Sequence, residues 1–300
     1  MLGVGTIPAT GAGQRMMWHP YKAAFRAGSI GSNGTEWDDA NVGFYTAAFG
    51  YNTIALGLSA FSAGYQSHAT GTYSTATGYN ERADGTGSVA VGYQNGAFGD
   101  YSVTLGQRAY SGTGCPTTAN TSCNYDATPI TAHKGAFVFS DDSTVTHFGV
   151  GADNMFAARA AGGFRFRTKN DLTTGCDLPA GSGVFSCSSD RATKKDFKPV
   201  RGQNVLERIA RLPITTWSFK TEKAGVRHMG PMAQDFWRQF HLGTDNKNIG
   251  LTDLNGVNLA GIQALYRLDQ QKDVRIRHLE RENARINARL DRIERLLAKR

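Results

Sequence analysis

The segment Ser188-Ser189-Asp190-Arg191-Ala192-Thr193-Lys194-Lys195-Asp196-Phe197 holds the residue types from which a self-contained reaction could be built. A serine hydroxyl is a poor nucleophile until a base removes its proton, and a lysine amine is such a base when it is held neutral. Ser189 and Lys194 stand five residues apart, near enough for a turn to bring amine to hydroxyl. Burial, together with the adjacent cations Arg191 and Lys195, would disfavour a further positive charge on Lys194 and push its pKa down. Asp190 would act the other way unless its carboxylate is turned elsewhere, toward Arg191 for example. Without further context the pair reads more readily as a plain polar linker between domains.

What must position these residues changes abruptly at this point of the chain. Residues 1–188 carry 10 Lys/Arg against 12 Asp/Glu, and residues 189–300 carry 23 against 13, so the net charge of +8 belongs to the second part. Most of that surplus lies in the last forty residues, where a helix face needs solvated charges, and no nucleic-acid partner is expected. No apolar stretch reaches the roughly 18 residues of a membrane span. Met1 to Gly28 lacks a charged start followed by an apolar run, so no signal peptide is expected: export uses another route, or this chain is the distal part of something longer. The four cysteines form two short-range pairs, Cys115 with Cys123 and Cys176 with Cys187, neither flanked by histidines at metal-ligand spacing. Local disulfides suit this spacing, with free thiols as the alternative. No metal and no cofactor is expected.

Residues 1–40 read as a loop-like lead or cap with an aromatic patch at Trp18, Tyr21 and Phe25. Glycine then recurs at 43, 50, 57, 64, 71, 78, 85, 92, 99 and 106. A small residue stands two before most of them, and Phe44, Tyr51, Tyr65, Tyr79 and Tyr93 follow directly. A seven-residue period first suggests a coiled coil, but ten glycines at about 1 kcal/mol each would melt a helix. The remaining reading is a strand-and-turn unit, glycine supplying the positive φ of each turn and alanine a narrow interior. Two such units make one coil of a β-solenoid. From Gly135 to Phe185 short strands alternate Phe with Arg; Arg159, Arg165 and Arg167 are either a solvated strand face or an anionic-glycan site.

The A-x-G signature at this spacing, over residues 41–110, resembles the head repeats of trimeric autotransporter adhesins. That resemblance implies a trimeric, left-handed parallel β-roll head displayed at a surface, followed by an inserted loop and β neck over 111–188.

Past the seam, Asn204 to Arg211 predicts a short helix stopped by Pro213, and Ile214 to Phe219 a strand. His228 to Phe236 predicts a strand-to-helix transition, Asn248 to Leu251 a brief strand, and Asn255-Gly256 a turn. A long helix is expected from about Val257. Its end carries heptads, with Ile276, Asn283, Leu290 and Leu297 at a and Leu265, Leu279, Ile286 and Ile293 at d. Arg275 with Glu280, and Arg289 with Glu294, fall at g and the next e, which suits a parallel coiled coil over 262–300.

The order Ser189-Asp190-Arg191 with Lys194-Lys195, then His228-x-Gly230 with Ala233-Gln234-Asp235, then terminal heptads, resembles the C-terminal intramolecular chaperone domain of phage endosialidases and tail spikes. It implies an α+β chaperone domain over 189–300, ending in a three-stranded coiled coil. It also implies cleavage at the Ser188–Ser189 bond, with Ser189 as nucleophile and Lys194 as base. Asp190, Arg191, His228 and Gln234 take supporting places. The fold class expected is mostly β with an α C-terminus, and the partner a second and third copy of the chain, with a host glycan or receptor at the head. The location is a virion tail or a bacterial surface. The competing reading is an uncut trimeric adhesin with a coiled-coil stalk; a glycan-cleaving enzyme ranks below both, since residues 1–188 offer no paired-carboxylate site.

Overall fold

The computed structural model describes residues 7, 9–114 and 130–298; the expected Cys115–Cys123 pair lies outside them. The described chain divides into two compact units, Met1–Thr193 and Lys194–Arg300.

The first unit is built on two parallel sheets. Five-residue strands Ala47–Tyr51, Phe61–Tyr65, Thr75–Tyr79, Val89–Tyr93 and Val103–Gln107 lie side by side in one, and two-residue strands from Ile54–Ala55 to Ala109–Tyr110 in the other. Each residue pairs with the one fourteen further on: Ala48 with Ser62, Ser62 with Ala76, Ala76 with Ala90. Two seven-residue units per step is the arrangement the glycine spacing predicts. Between the sheets Ala48, Ala55, Ala69, Ala76, Ala83, Ala90 and Ala97 are wholly buried. A longer side chain has no room there, because the interior is already packed. The sheet then runs on through Phe137–Ser140 and Phe156–Arg159 as its last two strands.

Residues before 40 depart from the loop-like reading. Gly13–His19 and Ala24–Ile30 form an antiparallel hairpin, the second strand of which pairs in parallel with Ala47–Tyr51. Arg26 pairs with Ala48 and so sits at the open end of the alanine stack, fully buried. Its guanidinium donates to the carbonyls of Thr46 (3.3 Å) and Ala55 (2.9 Å) and to Thr46 Oγ1 (3.0 Å). Burial lowers its pKa to about 10. The capping polar groups outweigh the loop signal of the surrounding glycines and prolines.

The turn role expected of the glycines holds for half of them. Gly50, Gly64, Gly78, Gly92 and Gly106 have φ between +94° and +134°, while Gly43, Gly57, Gly71, Gly85 and Gly99 do not have positive φ. Further left-handed positions are held by Tyr45, Asn52, Ser59, Gln66, Tyr73, Asn80, Gln94, Tyr101 and Arg108 as well as Gly87. The glycines without positive φ are set by contact with the next step. A Cβ on Gly57 would lie 1.9 Å from the Gly71 carbonyl oxygen, at ordinary φ. The tyrosines that follow the glycines stack in a ladder, Tyr51, Tyr65, Tyr79 and Tyr93, with ring centroids 4.9, 5.1 and 4.8 Å apart.

A polar ladder that the sequence does not announce runs beside the alanines: Thr53, Ser67, Glu81 and Asn95, all buried. Glu81 Oε1 accepts from the Asn95 side chain at 3.2 Å, while Oε2 has no partner among the described residues. Burial pushes this carboxyl up to about 8 from an ordinary 4.5. The native state therefore holds a proton that the unfolded chain releases. The contribution of Glu81 to head stability is greatest below pH 4.5, falls as pH rises from there, and levels off above about 8. Urea unfolding should show a loss on the order of 4 kcal/mol between pH 4.5 and 9, at about 1.4 kcal/mol per pKa unit. Glu81→Gln should flatten the profile and be the more stable chain at pH 9; an unchanged profile would show that the group is not buried as described.

Downstream, Gly163–Arg167, Gly175–Pro179 and Ser186–Cys187 make a small antiparallel sheet. The second unit contains helices α1 (Gly202–Ala210), α2 (Ala233–Phe240) and α3 (Leu251–Leu297), with a two-stranded sheet of Thr215–Trp217 and His228–Gly230. The chain is thus mostly β with a long helix at its end. α3 starts at Leu251, so neither the strand at 248–251 nor the turn at Asn255-Gly256 exists. Asp253 in the first turn complements the helix N-terminus, and packing on α1 overrides one Gly256. That packing is close: a Cβ on Gly202 would come 2.7 Å from the Ala264 Cβ, and one on Gly261 2.8 Å from Ile209 Cδ1. Phe236 is the buried anchor of α2 and lies 5.0 Å from Phe240. No helix among the described residues is long and apolar enough to cross a membrane.

Candidate functional site

Antiparallel pairing fixes the approach to the seam. Cys176 pairs with Cys187 and Asp177 with Ser186, and the two cysteines are disulfide-bonded. One residue on, Ser188 N donates to the Gly175 carbonyl at 2.9 Å, and Gly175 N donates to Ser188 Oγ at 3.1 Å. Ser188 is therefore tied to the neighbouring strand on both its backbone and its side chain. Ser189 follows at once and is exposed in the single chain.

A short 3₁₀ turn, Arg191–Thr193, separates Ser189 from Lys194. Asp190 caps it: its carboxylate accepts from Ala192 N at 2.9 Å, and its carbonyl accepts from Thr193 Oγ1 at 2.8 Å. The carboxylate is thus engaged with the turn. Arg191 is the first residue of that turn, and Ser189 stands at the end of the first unit while Lys194 opens the second. Lys194 is exposed in the single chain.

His228 lies on its strand inside an aromatic box. Its ring is 4.7 Å from Trp217 and 5.7 Å from Phe219, and its Nε2 is 2.8 Å from Glu222 Oε1. The Glu222 carboxylate also accepts from Phe219 N at 2.8 Å. The His228 hydrogen bond and then the Phe219 amide lower its pKa. Glu222 and Trp217 were not singled out by the sequence; an acid six residues before a histidine has no helical or strand spacing to give it away. Gln234 is exposed on the first turn of α2.

The arginines of the upstream strands are engaged internally. Arg159 bonds Asp141 at 3.1 Å and the Thr146 carbonyl at 2.8 Å, and Arg167 pairs with Asp177 at 2.7 Å. Arg165 remains largely exposed, 3.7 Å from Asp177. With a carboxylate already facing each of the three, the solvated-face reading accounts for them better than an anion site.

Along the end of α3, Ile276, Leu279, Ile286, Leu290, Ile293 and Leu297 are 40–63 % exposed in the single chain. They form one apolar stripe on the helix.

Residues 189–241 match the family model described as the chaperone of endosialidase, beginning at Ser189 itself. Two copies of the YadA head domain repeat match residues 55–80 and 83–109. No curated protein and no solved structure matches the chain. In its two parts, then, the chain is similar to YadA-type head repeats and, downstream of them, to the endosialidase chaperone.

Proposed function

We propose that this chain is a segment of a trimeric fibre, spike or adhesin whose C-terminal part assembles three copies, guides the folding of the head and then releases itself by cutting the Ser188–Ser189 bond. The observation that carries the reading is that the chaperone match starts at Ser189 and is followed by an unpartnered heptad stripe. Exposed a and d side chains of this kind are stable in water only when a second helix covers them. The outward face of the long-stranded sheet supports the same assembly, since Phe49, Phe61, Val91 and Phe139 stand 37–38 % exposed on it. We read the head as the left-handed β-roll of the adhesin repeats, exposed at a virion or cell surface, with a host glycan or receptor as its ligand.

In the cleavage step, Ser189 Oγ adds to the Ser188 carbonyl carbon as Lys194 takes the hydroxyl proton. The C–N bond breaks, the departing Ser189 nitrogen receives that proton, and Ser188 is left esterified to Ser189 Oγ. Water then splits the ester, giving a carboxylate at Ser188 and a Ser189 with its hydroxyl restored and a free amine. A neutral Lys194 requires surroundings that exclude water, which packing of three chains supplies. Asp190 and Arg191 shape the turn, and His228 and Gln234 support the domain interior and surface. Cutting afterwards makes the assembled head kinetically trapped, because the chains lose the device that aligned them.

Sedimentation and intact mass of the purified full chain test this together. The expected result is a trimer with two fragments per chain, the smaller beginning at Ser189. A trimer of intact chains favours the uncut adhesin with a coiled-coil stalk, and a monomer overturns both.

A further inference from the structure

The scissile bond proposed above is preceded by a crosslink that its chemistry does not use. We propose that the Cys176–Cys187 disulfide is a positioning device for the Ser188 carbonyl and makes self-cleavage depend on the oxidation state of these two thiols; this rests on the cleavage reading just given.

The strand that carries the bond, Ser186–Cys187, is two residues long and is held to Gly175–Pro179 by a two-residue register. A pairing that short, at the edge of a three-stranded sheet, frays readily. The connection leading into it contains Gly181 and Gly183, which restrain it little. The disulfide falls within that register, one residue before Ser188. With Cys187 fixed, Ser188 N and Oγ are both brought onto Gly175, at 2.9 and 3.1 Å. What remains free on the acyl side is the rotation that presents the carbonyl to Ser189. An attack through a five-membered ring needs that carbonyl near a single orientation, and misplacement on the order of 1 Å can cost about 10²-fold.

The same sheet bounds a cleft of about 210 Å³ lined by Arg167, Thr173, Asp177, Cys187 and Ser188. It gives water a route to the acyl side for the second step, hydrolysis of the ester. Cys187 is exposed in the single chain, so reductants and oxidants reach the bond. Closing it removes two protons and two electrons from the two thiols, which a disulfide such as oxidised glutathione accepts by thiol–disulfide exchange. Once the chain is cut, the crosslink also retains Ser188, the new C-terminal residue, on its sheet.

The test uses the full chain in a Cys115→Ser/Cys123→Ser background, synthesised under reductant, with half then treated with oxidised glutathione. Assembly is followed by sedimentation, and cutting by the appearance of the fragment that begins at Ser189. The oxidised protein should cut at least about tenfold faster than the reduced protein, at equal trimer content. Adding Cys176→Ser should fix the slow rate and make it unresponsive to glutathione, which a general loss of stability would not do. Equal rates in reduced and oxidised chains overturn this proposal and leave the cleavage reading standing. An oxidised chain that assembles but is never cut at Ser189 overturns the cleavage reading, and this inference with it.

Discussion

A Ser189→Ala chain is expected to run as one band near the full 32.4 kDa on a denaturing gel, where the parent chain gives two. The effect is close to all-or-none because the reaction described has a single nucleophile, and alanine has no atom that can bond the Ser188 carbonyl carbon. Assembly should be untouched: Ser189 is exposed in the single chain, so its truncation opens no cavity. Ser189→Cys should retain cutting, because a thiol can carry the same acyl transfer through a thioester. Lys194→Arg separates charge from basicity. Arginine keeps the positive charge but does not give up its proton in a protein, so the rate should fall by about 10²–10⁴. If Ser189→Ala is cut like the parent, or the small fragment of the parent starts at another residue, the assignment is wrong. If Lys194→Arg cuts at the parental rate, only the base is misassigned.

How far the chain could be read without coordinates depends on whether a residue answers to its neighbours in sequence or to residues fourteen or more away. The fourteen-residue step of the head is legible because Ala48, Ala76 and Ala90 recur in phase with the glycines, and a repeat imposes its own register. The short helix and the strand-to-helix passage at His228 are legible from Pro213 and from apolar spacing. The hairpin at 13–30 is hidden because its second strand is fixed by Ala47–Tyr51 and by Arg26 reaching the carbonyl of Ala55. The start of α3 is hidden because Gly256 suggests a stop, which contacts of its neighbours with α1 override. At the seam, the residue types Ser189 and Lys194 are visible, but the bonds that hold Ser188 run to the backbone of Gly175, thirteen residues away, which no local spacing announces. The partner of His228, Glu222, was equally silent, since a loop brings it back onto the ring.

The glycines without positive φ give the second large effect, because close approach and turn geometry predict opposite rankings for Gly71 and Gly87. If turn geometry were the reason, Gly87 would be the most demanding position tested, with φ at +62°. The equivalent places one step away on either side are held by Tyr73 and Tyr101, at +59° and +58°, and a Cβ on Gly87 would meet only the exposed Tyr101 ring, at 3.1 Å. Gly71 has ordinary backbone angles, yet a Cβ on it would lie 2.1 Å from the Gly85 carbonyl oxygen and 2.7 Å from that of Asp84. Real contacts of this kind exceed about 3 Å, so the sheet would have to part by nearly the length of a bond. Parting it stretches the bonds that Thr70 N and Gly71 N make to the Ala83 carbonyl, at 2.9 and 3.1 Å. Gly71→Ala should therefore cost at least about 3 kcal/mol in urea unfolding of the head, at the upper end of overpacking effects. Gly87→Ala should cost about 1 kcal/mol, the price of a left-handed alanine. Should Gly71→Ala prove no worse than Gly87→Ala, the close approach of successive steps would not be what selects Gly71 and its counterparts at 43, 57, 85 and 99.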